Sequence, residues 1–243
     1  MKYKDIVYMV LDEIKSTSDD AFFTEEHVLL LVNNYRNFIL KQRYSDIKKP
    51  IPESNYQTIC LNLIQGPAIA GVPCEGGTFL RSKEKVPFMM KIGTPKVYPI
   101  NYYLGEITYV SRERMRYVGY NKYLQNIIYA SLGPDNYLYL QSSNPQYLYL
   151  EKIRLTGIFE NIESVSDLLC DDSGDSINCD IMDKTFPIED ALVPPIIELV
   201  VKELLGAAYR PSDSENNAMD DLANLANFIA RNAKSNLQKQ IES

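Results

Sequence analysis

Residues 126–158 read NIIYASLGPDNYLYLQSSNPQYLYLEKIRLTGI, and this stretch decides what kind of fold the chain has. Asn126 to Leu132, Tyr137 to Gln141 and Tyr147 to Ile158 are runs of β type. Gly133-Pro-Asp-Asn136 and Ser142-Ser-Asn-Pro-Gln146 join them, and both are good turn sequences. The unit Tyr-Leu-Tyr-Leu occurs twice, at 137–140 and 147–150. A period of two puts Tyr137 and Tyr139 on one face of a strand and Leu138 and Leu140 on the other. The second copy does the same with Tyr147 and Tyr149. The expectation is an antiparallel hairpin whose leucines face a core and whose four tyrosines face another protein, since tyrosine combines ring area with a polar hydroxyl. The plainer alternative is a half-exposed strand pair whose tyrosines merely suit a pleated surface.

Upstream of this block, from Gly66 to Pro99, glycine and proline punctuate the chain too often for a long helix. The first 65 residues look helical. Ile6, Val7, Val10, Leu11 and Ile14 share one helical face, and Thr24 caps a second helix that begins with Glu25 and Glu26 and runs to about Arg43. Ser54 and Gln57 have capping-box spacing, and Tyr56, Ile59, Cys60, Leu63 and Ile64 then predict a third helix. Downstream, Asp171 to Phe186 is an acidic loop. Pro194-Pro195 opens a helix with the stripe Ile196, Ile197, Val200, Val201, Leu204 and Leu205. Leu222, Leu225 and Ile229 mark a last helix within 217–237. The fold class expected is α+β: residues 1–65 and 166–243 form a helical bundle, with 66–165 as a β-rich insertion in the middle.

Charge is segregated. Residues 79–122 hold nine Lys/Arg against three Asp/Glu, whereas residues 161–243 hold six against sixteen. Opposite signs in one chain suit contacts between subunits, because such patches orient partners. Arg112, Arg114 and Arg116 alternate, so on a strand they would share a face able to meet phosphates or an acidic partner. The net charge of -7 argues against a dedicated nucleic-acid binder.

Little in the chain points to catalysis. His27 is the single histidine, and it sits one turn into a helix with no Gly-x-Ser-x-Gly turn to serve. Gly66 and Gly71 have P-loop spacing, but Val72-Pro73 stand where lysine and a hydroxyl are needed. Asp171, Asp172, Asp175, Asp180 and Asp183 cluster, yet lack the closing glutamate of a calcium loop. The expectation is therefore no catalytic residue, no cofactor and no metal; a carboxylate-dependent hydrolase is the least favoured alternative. Cys60, Cys74, Cys170 and Cys179 form no Cys-x-x-Cys pair and are expected to be reduced in the cytosol where the chain is made. No apolar run approaches the ~20 residues of a membrane span, and the opening MKYKDIVYMVLDEIK is too acidic for a signal peptide.

The order of these parts carries a resemblance. Phe23-Thr24-Glu25-Glu26, YLEKIRLTGIFE at 149–160, FPIEDALVP at 186–194 and DSENNAMDDL at 213–222 resemble the head-to-tail connector (adaptor, or ring) proteins of short-tailed, crAss-like bacteriophages. The resemblance implies a structural virion protein, a ring of commonly twelve copies below the portal. Such a ring extends the DNA channel without reading its sequence and receives the next tail or ring protein. It also implies that the C-terminal segment docks on the portal. An accessory tail or tail-tube ring is the alternative.

Overall fold

The computed structural model describes residues 1–17, 23–46, 49–66, 79–100, 107–115, 117, 123, 126–170 and 180–208. The chain divides into two compact units. One holds Met1–Ile39, Met182–Phe186 and the described chain from Asp190; the other holds Leu40–Ile181 and Pro187–Glu189.

The second unit is built on a sheet. Its strands are β1 (Gln57–Gln65), β2 (Leu80–Ser82), β3 (Lys96–Pro99), β4 (Thr108–Tyr109), β5 (Tyr129–Leu132), β6 (Leu138–Gln141) and β7 (Lys152–Gly157), and it also carries the short helices α3 (Arg112–Met115) and α4 (Ile162–Ser166). Their order is β3-β7-β1-β2-β6-β5-β4, antiparallel throughout except for the parallel pair β4–β5. The two outermost strands approach each other through a bridge between Val97 and Ile107, with Ile107 N–H donating to the Val97 carbonyl at 2.9 Å. The sheet is thus a nearly closed barrel. Closure removes the unpaired edges that an open sheet would present.

Alternation fills the barrel. Ile59 and Leu61 of β1, Leu80 of β2, Val97 of β3, Leu138 and Leu140 of β6, and Ile153 and Leu155 of β7 are all buried in one core. This sheet corrects the expected fold class. The protein is a mixed α/β structure organised on a seven-stranded barrel-like sheet, not a helical bundle carrying an insertion. The third expected helix is β1, preceded by a short 3-10 turn at Glu53–Asn55. Positions 56, 59, 60, 63 and 64 fit a helical face, but 59 and 61 fit a strand face as well. Pairing decides between them: β1 runs antiparallel to β7 over six residue pairs, from Gln57↔Gly157 to Asn62↔Lys152, and Thr58 and Thr156 hydroxyls meet at 2.9 Å.

The cysteine expectation is also corrected. Cys60 and Cys170 are joined in a disulfide, with Cα atoms 5.7 Å apart. The Cys60 N–H donates to the Leu168 carbonyl at 2.9 Å, and Ile59 bridges Leu169, so the backbone brings the two cysteines side by side. Cys74 and Cys179 lie outside the described residues. Elsewhere in this unit the Glu189 carboxylate accepts from the Tyr44 hydroxyl and from the Asn55 amide at 3.3 Å and pairs with Arg43 at 3.6 Å, while the Glu189 N–H donates to the Asn55 side-chain oxygen at 3.1 Å.

In the first unit the helices form where the apolar spacing placed them: α1 (Tyr3–Thr17), α2 (Glu25–Arg43, of which Glu25–Ile39 lies here) and α5 (Val193–Ala208). The Thr24 hydroxyl accepts from His27 N–H at 3.4 Å, as an N-cap does. Ile6, Val7, Val10 and Ile14 are buried, as are Ile196, Val200, Val201, Leu204 and Leu205, and α1 packs on α5. Arg36 is wholly buried; desolvation lowers its pKa to about 10, partly offset by the nearby Tyr3 oxygen. Tyr3 itself is pushed up by the same burial and sits edge-on to Phe186 at 5.0 Å.

Candidate assembly interface

The residues singled out for assembly separate into four places. On β6 the alternation holds: Leu138 and Leu140 point into the barrel while Tyr137 and Tyr139 stay half-buried on its other face. The Arg81 guanidinium lies 4.1 Å from the centre of the Tyr137 ring, with the Lys85 ammonium at 5.9 Å, a cation–π pile that puts positive charge beside an aromatic face. The Tyr139 hydroxyl donates to Asp135 at 2.7 Å. Burial first, and that bond second, raise the Tyr139 pKa. The turn before β6 closes with Asn136 at φ 62, a left-handed conformation that asparagine tolerates.

The second Tyr-Leu-Tyr-Leu copy is not a strand. Pro145–Tyr149 forms a 3-10 turn capped by the Asn144 side chain, which accepts from Gln146 N–H at 3.0 Å. With three residues per turn, positions 147 and 150 share a face, and both are buried. Tyr147 therefore belongs to the barrel core, which raises its pKa through desolvation. Tyr149 is 70% exposed. The four tyrosines do not form one face.

The arginine stripe is likewise corrected. Arg112 and Arg114 lie on the short helix α3 (Arg112–Met115), both exposed, and Arg116 lies outside the described residues. Two positions apart on a helix is about 200°, so the pair points in opposite directions rather than along one strand face. The exposed rings of Tyr117 and Tyr123 follow α3 in sequence, and the Tyr117 N–H donates to the Arg114 carbonyl at 2.9 Å. Leu222, Leu225 and Ile229 lie outside the described residues.

Sequence reasoning missed a groove of about 430 Å³ in the first unit. Buried Val193 and Val201 form its floor, Met1, Met9, Pro194 and Ile197 its walls, and Glu13, Asp190 and Glu198 its rim. The signal was present: the α5 stripe is two columns wide, more than one neighbouring helix covers, and Met9 follows the buried α1 face by two positions. Other candidate chemistry is absorbed locally. Asp183 pairs with Lys4 at 2.7 Å and Lys2 at 3.6 Å, and the bond from Lys4 draws its pKa down. Asp171, Asp172 and Asp175 lie outside the described residues. His27 is exposed and stacks on Phe23 at 6.3 Å. Among the described residues no three His, Cys, Asp or Glu side chains gather as a metal would require, and no helix is long and apolar enough to cross a membrane.

Among the described residues, exposed aromatic and basic side chains thus lie at several places on the surface. Residues 5–222 match the family described as phage tail ring protein 2. The chain belongs to that family. It is 60% identical over 222 residues to ring protein 2 of Bacteroides phage crAss001, an alignment covering 91% of this chain and 98% of that protein. A ring protein of a phage tail is a structural component that assembles as a ring, so the resemblance read from the sequence is correct at that level. The family match ends at residue 222, leaving Leu225 and Ile229 beyond it.

Proposed function

We propose that this ring protein is a non-catalytic connector subunit that joins the portal to the tail and extends the channel through which DNA leaves the head. The carrying observation is membership of the phage tail ring family over nearly the whole chain. Twelve copies is the expected number, from the resemblance to connector proteins. Tyr137, Tyr139, Tyr149, Arg112 and Arg114 support the reading as exposed or half-exposed aromatic and cationic groups suited to interfaces. The stripe of Leu222, Leu225 and Ile229 is assigned to contact with a neighbouring protein. A closed ring needs two different surfaces on each subunit, and segregated charge suits such a pair.

Membership of a tail ring family also fits a second reading, an accessory ring of the tail that does not touch the portal. Cross-linking mass spectrometry on purified virions separates the two. The connector reading expects links from this chain to the portal protein and to other copies of itself. Links to tail proteins alone would assign it to an accessory ring, and absence from virions would overturn both.

A further inference from the structure

We infer that the groove between α1 and α5 receives the segment around Leu222, Leu225 and Ile229 from a second copy of this chain. The inference rests on the ring reading, in which one surface of each subunit meets a different surface of the next.

The groove is suited to an apolar helix face. Its floor is aliphatic, and its walls include Met1 and Met9, which are 40% and 50% exposed. Methionine is unbranched and adapts to whatever packs on it. Leu222, Leu225 and Ile229 stand at i, i+3 and i+7, the spacing of anchors on a helix laid in a groove. They span about 10 Å along such a helix.

Charge points the same way. The rim carries Glu13, Asp190 and Glu198. The Met1 ammonium lies 3.9 Å from Asp190 and Lys202 pairs with Glu198 at 2.7 Å, which leaves the rim acidic by one charge. Asp220 and Asp221 precede the first anchor, and beyond Ile229 the segment holds Arg231, Lys234 and Lys239 against Glu242, so the end that follows the anchors is basic by two. Reach is sufficient: residues 209–221 separate Ala208 from Leu222, and at ~3.3–3.6 Å each they can span at most about 45 Å.

The test uses the full chain, mixed one to one from ordinary and nitrogen-15-labelled preparations and treated with a zero-length carbodiimide. Lys234 or Lys239 should link to Glu13, Asp190 or Glu198, with about half of the linked peptides carrying one label of each kind, as random pairing between copies requires. Leu225→Asp should cut those mixed-label links by about tenfold or more, because the groove does not solvate a carboxylate, without shifting the melting temperature. Links of one label only would mean that the segment folds onto its own subunit, and no such links would mean that the groove has another occupant; either overturns the inference. Electron microscopy of the same sample reports the ring separately. Closed rings without mixed-label links leave the ring reading standing and remove this one, whereas mixed-label links in open dimers support the contact and count against closure.

Discussion

The same four residues, Tyr-Leu-Tyr-Leu, occur twice within fourteen positions and take two conformations. At 137–140 they follow a turn and enter strand β6, which buries both leucines and leaves both tyrosines half-covered. At 147–150 they follow Asn144-Pro145, wind into a 3-10 turn and bury the first tyrosine and the last leucine instead. Period two gives way to period three. The side chains are identical, so the difference comes from what precedes them: Gly133-Pro-Asp-Asn136 closes a hairpin onto β5, whereas an asparagine cap followed by proline starts a helical turn.

The comparison breaks most visibly at Tyr147. Tyr147→Ser should lower unfolding free energy by about 4 kcal/mol in urea titrations, as expected when a buried aromatic leaves a cavity. A loss under 1 kcal/mol would return Tyr147 to the surface. Leu140→Ala tests the other copy and should cost about 3 kcal/mol, since its side chain is wholly buried in the barrel. The equivalent truncation of Leu148, only partly buried, should cost less than half as much. Asn144→Ala removes the cap and should cost about 1 kcal/mol, with hydrogen exchange speeding at Gln146 and its neighbours. The smallest change in stability belongs to Tyr149→Ser, expected within about 0.5 kcal/mol. Its effect should instead be on assembly, read as reduced incorporation into virions or rings. Equal incorporation would remove Tyr149 from the interface.

How much of this was legible depends on where the deciding contact lies. The helices α1, α2 and α5 were readable because their spacing, caps and prolines are local. So was the β5–β6 hairpin, whose turn is written between its strands. β1 was not, because residues 56–64 satisfy a helical and a strand pattern together, and β7, almost a hundred residues away, selects the strand. Barrel closure was beyond sequence reasoning for the same reason, resting on one bridge between residues 97 and 107. For the candidate interface, residue type was legible and direction was not. Tyrosine and arginine are residue types suited to a contact surface, but strand, 3-10 turn or helix decides which way each points, and Tyr147 and the arginine pair turned with it.

The disulfide has a mechanical consequence. Cys60 and Cys170 are 110 positions apart, and β2 to β7 all lie between them. A chain pulled by its two ends therefore carries tension across the sulfur bond, and nearly the whole barrel hangs off the load path as a closed loop. Opening the bond would put that loop in series with the pull and release roughly 370 Å of extended chain. In single-molecule stretching the oxidised protein should give a contour length shorter by about that amount than the reduced one, with the barrel surviving forces that unravel the helices outside it.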